Sequence, residues 1–223
     1  MGTSLVFLKP INQILAVFFM KQDTVVHIVA DPISFFHQLL AQGILASTIA
    51  GTSIHHFLTI DIGVAPEYID HRIQTIFLDG KAVDDVKNTF LKQGSILALS
   101  AAMPGLVGAT FRKSGFYSTF RKNISYQQQS TVSHKQVIDF TLKLFNTIAK
   151  ELGPGLFKTG IRVNGSLFQD FILHQKDRFR TVCKKQTIFG KDIDAEGFLS
   201  HEWKNKTIHL IIYPPPTRGN IPT

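Results

Sequence analysis

Apolar positions recur along the chain with two periods, and the switches between them lay out the expected elements. Ile14 to Met20 and Thr24 to Val29 are short apolar runs joined by Lys21-Gln22-Asp23, the pattern of two strands in a hairpin. Asp31-Pro32 then offers an N-cap residue and a proline at the first helical position. Phe35, Phe36, Leu39 and Leu40 follow as one helical stripe, and Gly43 supplies the stop. Between Ser53 and Ile62 the residues Ile54, His56, Leu58, Ile60 and Ile62 occupy every second position, which predicts a strand. Pro66 opens a short helix carrying Ile69 and Ile73. Thr75-Ile76-Phe77-Leu78 reads as a strand that turns at Asp79-Gly80 into Lys81-Ala82-Val83, and Ser95 to Ala101 as a buried strand after Gln93-Gly94.

Downstream, Gln127-Gln128-Gln129-Ser130-Thr131 is polar and reads as a linker. Ser133 with Gln136 three residues later is a capping-box signal. It predicts a helix with Val137, Thr141, Leu144, Ile148 and Leu152 on one face, stopped by Gly153-Pro154-Gly155. Ile161-Arg162-Val163 predicts a strand and Asn164-Gly165 a turn. Ser166 is placed to cap a further helix with Leu167, Phe168, Phe171 and Ile172 inward, and Thr207 to Tyr213 alternates as a last strand. The expected organisation is an α+β domain over 1–126, a helix-plus-strand region over 130–213 and a tail over 214–223 that cannot bury itself.

Ile76-Phe77-Leu78-Asp79-Gly80-Lys81-Ala82-Val83, with Lys92-Gln93-Gly94-Ser95-Ile96-Leu97-Ala98-Leu99 and then Met103-Pro104-Gly105, resembles the second half of ubiquitin-like sulfur carriers. In those carriers a strand with an Asn-Gly or Asp-Gly turn leads to a "Gly-Asp-Glu-Val" strand and a terminal Gly-Gly. The resemblance implies a β-grasp-like mixed sheet for residues 1–126. It does not extend to sulfur transfer. The chain has Gly105-Leu106-Val107-Gly108 where the carriers end, and it continues for more than a hundred residues. The free glycine carboxylate on which a carrier depends is missing at that point.

Composition adjusts this picture in three ways. The 223 residues are 44% hydrophobic and 18% charged, a globular composition able to bury a core. The 19 Phe against 4 Tyr and 1 Trp are mostly core rings, because Phe lacks the polar handle that interface belts use. Cys183 is the only cysteine, so no intrachain disulfide forms and a buried thiol is expected. With no cleavage pattern after Ile14–Met20, that segment reads as a buried strand rather than a signal peptide, and a cytoplasmic protein is expected. The longest uncharged run, from Ser95 to Phe111, is short for a membrane span and is broken by Pro104, Gly105 and Gly108.

The formal net charge of +8 allows an anionic partner such as a small ligand or nucleic acid. One segment concentrates that charge: Phe111-Arg112-Lys113-Ser114-Gly115-Phe116-Tyr117-Ser118-Thr119-Phe120-Arg121-Lys122. Fixed positive charge interleaved with flat rings suits phosphates and bases. A chain reversal at Ser114-Gly115 would bring Arg112, Lys113, Arg121 and Lys122 onto one ligand, with Phe116 or Tyr117 stacking. The alternative is rings facing inward and solvated charges facing out. Gly105 and Gly108 are candidates for an anion nest or for simple turns. Lys113-Ser114 is not part of a phosphate loop, because Val107 and Arg112 occupy the two required glycine positions.

No metal site is expected. His55-His56, read as mid-strand, would point to opposite faces. His201-Glu202 lacks the second histidine of the zinc-protease pattern. Asp84-Asp85 and Asp192-Ile193-Asp194 have no calcium-loop spacing. The leading functional reading is a non-enzymatic module that binds an anionic ligand or partner. The alternatives are an enzyme with its site in a cleft between the two regions, and an assembly subunit in which surplus Phe makes a homo-oligomer interface. Neither a catalytic residue nor a cofactor can be named from the sequence.

Overall fold

A computed structural model of the chain describes residues 23–101 and 136–216. Within them, helices and a single mixed sheet of ten strands make an α+β architecture. The first stretch contains β1 (Thr24–Ala30), a 3₁₀ turn (Ile33–Phe36) running into α1 (His37–Gln42), and β2 (Ile44–Ile49). It continues with α2 (Ile54–His56), which widens into a π-helical turn over Phe57–Asp61, then α3 (Pro66–His71), β3 (Thr75–Leu78), β4 (Lys81–Ala82) and β5 (Ile96–Ser100). The second stretch holds β6 (Val137–Phe145), α4 (Asn146–Thr159), β7 (Ile161–Asn164), α5 (Gly165–His174) and α6 (Lys176–Val182). It closes with β8 (Cys183–Ile188), β9 (Lys191–Ile193), α7 (Ala195–Ser200) and β10 (Thr207–Tyr213).

The strand order is β4-β3-β5-β6-β2-β7-β10-β1-β8-β9. Only the β5/β6 and β1/β10 neighbours run parallel. A single residue pair, Leu45 with Arg162, joins β2 to β7 at the centre. Outward from that seam the two five-strand halves have the same succession of strand directions, and each ends in a hairpin. Both hairpin turns use two consecutive left-handed residues, Asp79 and Gly80 at φ 52° and 77°, Phe189 and Gly190 at 49° and 76°. Such turns match the twist of the strands they join. The boundary expected between residues 126 and 130 lies outside the described residues. Strands from either side of it interleave in the one sheet, β6 between β5 and β2, β1 between β10 and β8.

Period-two alternation splits the sheet into two chemically different faces. Val26 and Ile28 of β1, Ile138, Phe140, Leu142 and Leu144 of β6, and Ile208, Leu210 and Ile212 of β10 point to one side and are buried. Phe36, Leu39 and Leu40 of the first helical segment, Leu152 and Phe157 of α4, and Phe168 and Phe171 of α5 join them in one core. Rings interlock there: Phe57 meets Phe140 edge-on at 4.9 Å, and Phe36 lies 5.8 Å from Phe171. Each fully buried ring of this kind contributes about 2–3 kcal/mol of transfer free energy.

Several sequence expectations are corrected. Ile14–Met20, the expected hairpin partner of Thr24–Val29, lies outside the described residues, and β1 is flanked by β10 and β8. Ser53–Ile62 is helical, not extended. Ile54, Phe57, Leu58 and Ile62 are its buried residues, a spacing of three, four and eight, and the Ser53 hydroxyl caps the turn by accepting from the His56 amide. The apparent alternation came from counting Ile60, which is 56% exposed. Residues 137–145 are a strand. Ile138, Phe140, Leu142 and Leu144 alternate cleanly, and that period outweighs the looser helical spacing of Val137, Thr141 and Leu144. The helix begins at Asn146 and runs through Gly153-Pro154-Gly155 to Thr159, with Pro154 inside it. Asn164 rather than Ser166 caps α5, its side chain accepting from the Ser166 and Leu167 amides. Pro32, not Asp31, precedes the first helical segment as its N-cap.

Candidate functional site

The second face of the sheet, the polar face, is half-buried and also carries apolar side chains such as Val25, Leu45, Ile211 and Phe145; its polar groups gather at the central seam. Arg162 stands on the polar side of β7, directly opposite Leu45 of β2 and His209 of β10. Its Nε donates to Asp23 Oδ2 at 2.8 Å, just ahead of β1, and its Nη1 donates to Ser47 Oγ at 3.2 Å. Ser47 in turn donates to Asp139 Oδ1 at 2.6 Å, and Arg162 Nη1 lies 3.6 Å from that same oxygen. One guanidinium therefore links four elements: the lead into β1, β7, β2 and β6. The Asp23 side chain is 5% exposed, and the Arg162 guanidinium is its ion-pair partner.

His209 completes the row and is 8% exposed. Burial, with the neighbouring Arg162 and His27 charges, pushes its pKa below the ordinary imidazole value, against an opposing pull from Asp23. Gly160, at φ 98°, closes the pocket around the ring. A Cβ there would stand 2.2 Å from His209 Nε2, so no larger residue fits without displacing the imidazole. The arrangement holds an imidazole, a guanidinium and two carboxylates together. The two carboxylates outnumber the single Arg162 charge, so the cluster clamps the seam and does not make a cationic patch.

Other reactive groups sit elsewhere. Cys183 is buried, and burial pushes its thiol up to about 12, which removes thiolate character at neutral pH. On the helical side, Tyr68 of α3 donates to Glu151 Oε2 at 2.6 Å, and Arg72 forms a two-pronged ion pair with the same carboxylate, whose pKa Arg72 lowers. Thr48 donates to Asp61 Oδ2 at 2.7 Å, while burial raises the pKa of that carboxyl. His55 and His56 lie on α2, so the mid-strand placement is corrected. No group of three or more His, Cys, Asp or Glu able to hold a metal occurs among the described residues.

No known family model, curated protein or solved structure matches this chain. Its function is therefore read from its own residues.

Every residue singled out from the sequence for ligand binding lies outside the described residues: Arg112, Lys113, Phe116, Tyr117, Arg121 and Lys122, and with them Gly105 and Gly108. The seam cluster escaped sequence reading altogether. Asp23 and Arg162 are 139 positions apart, and no linear motif connects them. The one available signal was Arg162 itself, a charged residue in the middle of the short apolar strand Ile161-Arg162-Val163. Among the described residues no helix is long and apolar enough to cross a membrane.

Proposed function

We propose that this chain is a non-enzymatic binding module for an anionic ligand or partner, with the basic-aromatic segment as its docking element. The distribution of charge supports the reading. The net charge of the whole chain is +8. Residues 86–138 contain Lys87, Lys92, Arg112, Lys113, Arg121, Lys122 and Lys135 and no Asp or Glu. A long acid-free stretch carrying several fixed cations is the charge pattern expected of a segment that meets an anion. Arg112, Lys113, Arg121 and Lys122 supply four of those cations within 11 residues, beside Phe116 and Tyr117 for stacking.

We further propose a β-grasp-like half in which β6 stands as the central strand. The β3–β4 hairpin, β5 antiparallel to β3 and β5 parallel to a central strand are relations a β-grasp sheet contains, and they support that reading.

Charge reversal at the four basic positions tests the binding role (R112E, K113E, R121E, K122E). Retention on heparin and affinity for single-stranded nucleic acid should fall. The salt dependence of binding should flatten by roughly one unit of log–log slope for each phosphate no longer neutralised. The melting temperature should stay unchanged. An elution profile identical to that of the unmodified protein rejects the proposal.

A further inference from the structure

We infer that the chain is a tandem duplication of one folding unit, and that each copy supplies its first strand to the sheet of the other, so that neither copy opens alone. Residues 24–100 and 137–213 are equal in length and run through the same elements in the same order. The first contains β1, the α1 segment, β2, the α2 and α3 segments, the β3–β4 hairpin and β5. The second contains β6, α4, β7, the α5 and α6 pair, the β8–β9 hairpin and β10. Among the described residues α7, between β9 and β10, is the one added element.

The amino-acid sequence repeats at the matching hairpins. Gln74-Thr75-Ile76-Phe77 precedes Gly80-Lys81 in the first, and Gln186-Thr187-Ile188-Phe189 precedes Gly190-Lys191 in the second. The first hairpin is longer by two residues, Leu78 and Asp79, an even shift that leaves the threonines and isoleucines on matching faces of the sheet. Ile76 and Ile188 accordingly both pack on the one core.

The strand pairing between the copies is reciprocal. β1 is hydrogen-bonded to β10 and β8, and β6 to β5 and β2. Within the described residues, the first strand of each copy is therefore flanked on both sides by strands of the other copy. In both cases the parallel neighbour is the other copy's last strand, β10 for β1 and β5 for β6. The core is shared in the same way. Phe57 of the first copy packs on Phe140 of β6, and the Asp31 amide donates to the Val182 carbonyl at 3.0 Å. Withdrawing β1 would strip β8 and β10 of a ladder partner and expose the fully buried Val26 and Ile28; withdrawing β6 would do the same to β5 and β2. Two copies joined without such an exchange could open one at a time. Here each holds the other closed.

Native-state hydrogen exchange of the full-length protein, read strand by strand, tests the inference. Ile28→Ala on β1 should lower the protection of the slowest amides about 30-fold or more in β7, β8 and β10 of the second copy. The same factor should appear in β2, β3 and β5 of the first copy. Leu142→Ala on β6 should act likewise from the other side. Should Ile28→Ala not fold, Ile28→Val takes its place, with a uniform loss of about two- to tenfold. The fourfold charge-reversal variant should keep the parent's protection while losing heparin, so this inference and the binding role fail separately. A loss confined to the first copy when β1 is altered overturns the inference. So does urea unfolding of the parent in two separate transitions, one for each copy.

Discussion

The two faces of the sheet are built by the same strands in strict alternation, yet they are held together by different physics. On the apolar face, Phe140, Leu142 and Leu210 need only water-free neighbours of about the right size, and many such neighbours exist in one continuous core. On the polar face, Asp23 needs one partner, Arg162, reached across 139 residues of chain and aligned to 2.8 Å. Burial on the first face is redundant and non-directional. On the second it is specific and has no substitute. The first face explains why the strands associate at all. The second shows how the narrow β2–β7 seam, with one residue pair in register, is reinforced by a charged clamp.

Substitutions on each face can test that contrast. The largest expected effect is Phe140→Ala, which opens a cavity against Phe57 and should cost about 3–5 kcal/mol in urea unfolding. A loss below about 1 kcal/mol would mean that the core collapses around the gap. Arg162→Ala should cost somewhat less, about 3 kcal/mol, because it strands the Asp23 carboxylate at 5% exposure. The contrast sharpens in the double variant with Asp23→Asn, which should recover a large part of the loss. A Phe140 cavity has no comparable single rescue. If Arg162→Ala is neutral, the clamp contributes nothing to the seam.

A smaller effect comes from pH. Burial holds the imidazoles of His37, His201 and His209 below the ordinary value of 6.5 in the folded chain. The unfolded chain therefore binds more protons than the folded one as pH falls through 6.5, and stability declines there; above that pH the contribution is level. His209, on the polar face with Asp23, Arg162 and His27 around it, should carry part of the decline. His209→Gln should make the unfolding free energy less dependent on pH between about 5 and 7. An unaltered pH profile in that variant would place the dependence on His37 and His201 instead.

Local signals in the sequence suffice where one element decides its own form. Asp79-Gly80 specifies a left-handed turn pair by itself, and Phe35, Phe36, Leu39 and Leu40 form a helical stripe that Gly43 ends. Strands β3, β5, β7 and β10 are legible in the same way. The stretch from Val137 misleads because helical and alternating spacings coexist in Val137-Ile138-Asp139-Phe140-Thr141-Leu142-Lys143-Leu144, and the sheet selects the alternating set by burying it between β5 and β2. The short helix after Ser53 misleads for the opposite reason. Its isoleucines suggest a strand, and packing of Phe57 on Phe140 decides for a helix. The β8–β9 hairpin escapes notice because Phe189 sits in a turn position that asparagine or aspartate usually marks.

By itself, the sequence determined the inventory of strands and helices with strong local periods, the globular character, and the net positive charge. Those properties depend on neighbours within a few residues, or on simple counting. Tertiary structure alone decided which edges of β1 are filled, that strands from both ends of the chain share one sheet, and that Asp23, Ser47, Asp139 and Arg162 converge. It also paired Thr75 with Ser100 across β3 and β5. Strand partners are chosen by which apolar faces can be buried together across the whole chain, and no short-range pattern encodes that choice.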